Sequence, residues 1–144
     1  MTTSRSTLHC LAVRILNGPH PDLVLACRLA FDTALPYGVH LGISGARPFA
    51  DGEPPVCWTF GRDLLDQGLR RPAGQGDVLV APGPGGTVLV ELRGPAGSAV
   101  LGLSAEQVGA FLDDAYALVP QGAEGEHLDV DECLTRLLVR PEQA

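Results

Sequence analysis

The stretch Asp77-Val78-Leu79-Val80-Ala81, Pro82-Gly83-Pro84-Gly85-Gly86, Thr87-Val88-Leu89-Val90-Glu91-Leu92 decides the fold. Two runs rich in Val and Leu flank five residues of Pro and Gly. Branched side chains suit the pleated strand. A Pro/Gly cluster continues neither helix nor strand, so it turns the chain. Runs this close in sequence must pair antiparallel, because a parallel pair needs a crossover of about a dozen residues or more. A third strand is predicted over 98–103, after the loop Gly94-Pro95-Ala96-Gly97. The Gly83-Pro84-Gly85-Gly86 turn superficially suggests a phosphate loop. It lacks a Lys and a following helix, so a hairpin is the better reading.

Downstream comes the clearest helix. Ser104 is its N-cap, Gln107 completes a capping box, and Leu103 and Val108 form a hydrophobic staple. Val108, Phe111, Leu112, Ala115 and Val119 make one apolar stripe, and Pro120 lies just past the end. A further helix is predicted where Asp129 caps, Glu132 follows three residues later and Leu128 staples onto Cys133. Arg136 and Arg140 then sit at its C-terminal end, where cations are favoured.

Upstream, residues 7–15, 23–31, 37–43 and 56–60 read as four strands, with loops over 17–21, 32–36 and 44–55. Val39, Leu41 and Ile43 share one face and His40 takes the other. Trp58 and Phe60 share a face, for core packing or for a partner. A short helix follows, with Asp63 near its start. Gly68 fits the left-handed residue that ends a helix, which would bring Leu69 onto Leu64. The order is four strands and a helix, then three strands and two helices. That is an α+β chain built on an antiparallel β-sheet, and it looks like a degenerate duplication of a strand-rich unit closed by a helix.

The 144 residues suit one domain over 1–144, with 1–6 and 141–144 as flexible ends. All ten basic residues are Arg, against 17 acids, giving a net charge of −7. Up to Leu103 the charges balance, eight against eight; the last 41 residues hold nine acids and two Arg. The excess solubilises helix faces or makes an electrostatic docking face. It repels phosphate backbones and anionic lipid. No apolar run reaches a membrane span, and Met1-Thr2-Thr3-Ser4-Arg5 leads into no signal-peptide core, so a cytoplasmic protein is expected. Cys10, Cys27, Cys57 and Cys133 lie far apart. Buried small hydrophobes are expected of them, in preference to a zinc site or disulfides.

The sequence shows no catalytic constellation: neither a nucleophile elbow nor a nucleotide-binding loop. His127, Asp129, Asp131 and Glu132 are metal-ligand types, but Asp129 and Glu132 are needed as helix caps. His9 and Cys10 alternate faces along one strand, whereas His40 and Cys57 could meet across strands. The expectation is a protein that is not an enzyme and takes no metal or cofactor. Arg62, Asp63, Arg70 and Arg71 bracket the short helix. Arg70-Arg71, the only adjacent basic pair, makes a weak nucleic-acid patch with no aromatic platform beside it; pairing with Asp66, Asp63 or Asp77 is the better reading.

Several stretches resemble the SsgA-like family of sporulation and cell-division proteins of actinomycetes. They are Phe31-Asp32-Thr33-Ala34-Leu35-Pro36-Tyr37-Gly38-Val39, Trp58-Thr59-Phe60-Gly61-Arg62-Asp63-Leu64-Leu65 and Gly68-Leu69-Arg70-Arg71-Pro72-Ala73-Gly74-Gln75-Gly76-Asp77-Val78. Phe111-Leu112, Val119-Pro120-Gln121-Gly122 and His127-Leu128-Asp129-Val130-Asp131 continue the likeness. The resemblance implies a barrel-like sheet similar to whirly-type single-stranded nucleic-acid-binding proteins, with about seven strands and three helices. It implies a homotrimer acting as a non-enzymatic adaptor at division septa. Its partners would be cell-division proteins such as FtsZ or another SsgA-like protein, with no membrane insertion. Arg62, Arg70 and Arg71 are the candidate docking residues for an acidic partner. The alternative is a single-stranded nucleic-acid binder, which the charge disfavours, and a third reading is a small-molecule-binding protein or an undetected enzyme.

Overall fold

A computed structural model describes residues 4–43, 56–95 and 97–127. Its strands are β1 (Ser6–Ile15), β2 (Val24–Asp32), β3 (Gly38–Ile43), β4 (Val56–Gly61), β5 (Val78–Pro82), β6 (Thr87–Gly94) and β7 (Gly97–Ser104). All seven join one antiparallel sheet in the order β4-β3-β2-β1-β7-β6-β5. Two meanders, β1 to β4 and β5 to β7, therefore meet at β1 and β7. The junction is short: Arg14 lies opposite Gly102 and Ile15 opposite Leu101. Asn17, the chain's one asparagine, lengthens it. Its Nδ2 donates to the Ser98 carbonyl and its Oδ1 accepts the Val100 N–H, each at 2.9 Å. A side-chain amide thus stands in for one more strand residue.

Alternation sorts the two faces of the sheet. Leu11 and Val13 of β1, Cys27, Leu29 and Phe31 of β2, and Val39 and Leu41 of β3 are buried on the inner face. Val88, Val90 and Leu92 of β6 and Leu101 and Leu103 of β7 continue it. Helix α2 (Ala105–Leu118) covers this face against β1, β2 and β7. Every residue of its predicted stripe is buried. Ser104 Oγ accepts the Gln107 N–H at 3.2 Å, as an N-cap should. Helix α1 (Arg62–Gly68) leaves the end of β4 and packs on β5. One short helix therefore spans the two edges of the sheet and nearly closes it.

Two expectations are corrected. Gly68 is not a left-handed terminator, because it lies inside α1 and the next residue, Leu69, has φ of −71°. Glycine is required there by close approach: a Cβ would sit 2.0 Å from Val80 Cγ1. Of the cysteines, only Cys27 is buried among those described; Cys10 and Cys57 are exposed on the outer face. Alternation put them there, and small thiols are tolerated on a face that no helix among the described residues covers. The third predicted helix, with Asp129, Glu132, Cys133, Arg136 and Arg140, lies outside the described residues.

Candidate interaction surface

Helix α1 begins without a break in hydrogen bonding. The Arg62 N–H donates to the Tyr37 carbonyl at 2.8 Å, so the β3–β4 ladder runs into the first helical residue. Leu65, three residues on, is 1 % exposed. Arg62 shares its face and is itself 1 % exposed. Its side chain crosses to the far end of α2. Nη1 donates to the Val119 carbonyl at 2.7 Å and to that of Ala115 at 3.3 Å. Nη2 donates to Glu124 Oε1 at 2.8 Å. The guanidinium carbon lies 4.3 Å from the Tyr116 ring centroid and 4.9 Å from that of Phe31. Helix α2 has no basic residue in its last turn. Arg62, brought from another helix, supplies the cation that the carbonyl end of a helix attracts.

The surroundings reinforce this contact. Both Glu124 carboxylate oxygens accept the Gly122 N–H, at 3.0 and 3.1 Å. That bond, with help from the Arg62 guanidinium, holds the Glu124 carboxyl below the usual carboxylate range. The Tyr116 hydroxyl donates to Asp66 Oδ2 at 3.0 Å, and Asp66 Oδ1 accepts Arg70 Nη2 at 3.2 Å. Burial, then the bond to Asp66, pushes the Tyr116 hydroxyl up to about 12. Two polar links therefore lock α1 to α2.

The three candidate arginines do not form one surface. Arg62 is sealed in the interior, which corrects the expectation of an exposed site that includes it. Arg70 is exposed, with 76 % of its side chain accessible despite its pairing with Asp66. Arg71 is exposed and makes no ion pair among the described residues. Their backbones are fixed. Both N–H groups donate to the Gln67 carbonyl, at 2.9 and 3.0 Å, and Ala73 exchanges two bonds with Val80 on β5. The segment thus presents two cations from a rigid base. Glu124 and Tyr116 were missed, since neither gives a local signal for a contact fifty or more residues away.

Other candidates separate. His40 Nδ1 lies 2.9 Å from Thr59 Oγ1, and Cys57 lies opposite Gly42, so His40 and Cys57 make no dyad. His9 turns inward, edge-on to Phe111, with Nε2 at 2.7 Å from Asp114 Oδ2. No group of three metal-ligating side chains gathers among the described residues. No helix among them is long and apolar enough to cross a membrane. The cluster from Asp129 to Glu132 lies outside them. Burial, with a smaller contribution from Cys10, pushes the Cys27 thiol up to about 12. Iodoacetamide at neutral pH should therefore label Cys10 and Cys57 and leave Cys27 intact until unfolding. Peptide mass spectrometry reads this directly, and early labelling of Cys27 would contradict the packing.

Residues 25–124 match the family model described as "Streptomyces sporulation and cell division protein, SsgA". A sporulation-specific cell division protein SsgB of Streptomyces coelicolor is 38 % identical over 137 residues, covering 92 % of this chain and 96 % of the relative. SsgB of Saccharopolyspora erythraea is 38 % identical over 141 residues, covering 96 % of each chain. Among solved structures, SsgB from work on longitudinal cell division during sporulation of Streptomyces coelicolor superposes with a TM-score of 0.77 at 34 % identity. That match covers 88 % of this chain and 98 % of the other. An SsgA-like sporulation-specific cell division protein of Thermobifida fusca gives 0.79 at 26 %, over 94 % and 98 %.

Proposed function

Because the chain belongs to the SsgA family of sporulation and cell division proteins, we propose that it is a non-enzymatic adaptor in sporulation-specific division. It positions or supports the septation machinery, through FtsZ or septal wall-synthesis proteins, by protein–protein contacts. Arg70 and Arg71 dock an acidic segment of that partner. The observation that carries the reading is the contrast between the arginines: one is consumed inside the fold, while two stand exposed on a hydrogen-bonded stretch of backbone. Exposed cations steer an acidic partner towards them. The working form is a homotrimer, which sedimentation at three chain masses would support and a monomer would refute.

The double variant Arg70→Glu with Arg71→Glu tests the surface. Both side chains lie outside the core, and the Arg70–Asp66 pair contributes at most about 1 kcal/mol. The variant should fold and weaken the complex with purified FtsZ about tenfold or more, since like charges then face each other. Unchanged affinity in a folded variant discards this site. In sporulating hyphae a fluorescent fusion should form ladders with FtsZ. A fusion that stays off the septa removes the adaptor role at that step.

A further inference from the structure

We propose that the open edge of β4 takes up an extended peptide segment of another protein as an added strand. The sheet treats its two edges differently. At β5, the outward N–H and C=O of Val80 are both used by Ala73, at 3.0 and 2.8 Å. At β4, no strand among the described residues pairs with the outer side. The Arg62–Tyr37 bond sets the parity of the ladder, since bonded and non-bonded pairs alternate in an antiparallel sheet. The backbone groups of Trp58 and Phe60 therefore face β3. Those of Cys57 and Thr59 face outward, offering two donors and two acceptors.

Two usual protections of an edge, charge and proline, are missing from β4 itself. Val56-Cys57-Trp58-Thr59-Phe60-Gly61 contains no charge and no proline. Trp58 lies opposite the fully buried Leu41 yet is itself only half-buried, and no strand among the described residues flanks it on the outer side. Size decides the occupant. Six residues of strand span about 20 Å. That is too little for two folded domains, which need roughly 1,200 Å² or more in contact. A single extended segment draws its affinity from backbone bonds and fits the edge. Its inward side chains should be apolar, to cover Trp58. Its outward ones should be small and polar, beside Cys57 and Thr59.

The probe is a soluble synthetic peptide of alternating Thr and Val with terminal Arg residues. Trp58 is the chain's one tryptophan, so its emission should shift to the blue on binding. Amide exchange at Cys57 and Thr59, followed by NMR, should slow about tenfold or more. Thr59→Pro removes an N–H from the open side and none from the ladder with β3, so both signals should vanish. Thr59→Val loses the contact with His40 but keeps the N–H, so both should persist. If Thr59→Pro does not fold, Cys57→Pro makes the same cut two residues earlier. No shift and no slowing at millimolar peptide overturns the proposal, as does protection that survives the proline. Protection that grows with protein concentration in the absence of peptide also overturns it, assigning the edge to a second copy.

Discussion

Gly68→Ala should destabilise the protein by about 3 kcal/mol, at the upper end of the cost of overpacking. Helix propensity alone predicts the opposite sign, since Ala in place of Gly inside a helix gains up to about 1 kcal/mol. Sterics decide. The added Cβ would lie 2.0 Å from Val80 Cγ1, 2.3 Å from its Cβ and 3.0 Å from its carbonyl carbon. Val80 cannot retreat: it is 1 % exposed, paired to Val90 on one side and Ala73 on the other. Val80→Ala in the same chain should rescue only part of the loss, because the Cβ and backbone contacts remain. Gly68→Asn separates this account from a conformational one. Asparagine is tolerated in a left-handed terminator but here should be at least as damaging as alanine. Urea unfolding measures all three, and a stabilised Gly68→Ala protein would refute the close approach.

The fold was legible wherever one local rule sufficed. The runs around Pro82 to Gly86 specified a hairpin, and the structure pairs Val80 with Val90 across it. Ser104 announced the start of α2 and indeed accepts from Gln107. Legibility ended where two distant elements share one position. Gly68 carries the same letter whether it ends a helix or lets a strand come close, and only the path of β5 separates the two. Arg62 carries the same charge in solvent or in the core. Its partners Glu124, Val119 and Tyr116 come from α2 and the turn beyond it, which no spacing around residue 62 foretells. Cys10 and Cys57 failed for a related reason: their faces follow from alternation, but which face α2 covers does not.

Arg62→Ala should be the most damaging change at the surface's base, costing about 3–5 kcal/mol, as removing one partner of a buried ion pair does. Three losses coincide. The carbonyls of Ala115 and Val119 lose their donor, the Phe31 and Tyr116 rings lose the cation between them, and Glu124 keeps its charge without a counter-ion. Arg62→Lys should restore little, because an ammonium cannot reach two carbonyls and a carboxylate from one plane. Arg62→Met with Glu124→Gln should recover part of the loss, since neither then leaves a buried charge, and a double-mutant cycle isolates the coupling. Acid gives an independent reading. The folded Glu124 carboxyl lies below its ordinary value near 4.5. Its contribution is therefore complete above that pH and lost as pH falls through the lowered value. The Gly122 N–H contributes most to that lowering, so Arg62→Met should shrink this acid-dependent part without abolishing it, whereas Glu124→Gln should remove it. Urea unfolding at neutral pH and at steps from pH 5 to pH 3 measures both. If Glu124→Gln follows the same acid curve as the parent, or if Arg62→Ala unfolds at the parent's urea midpoint, then Arg62 is not what fastens the end of α2 to α1.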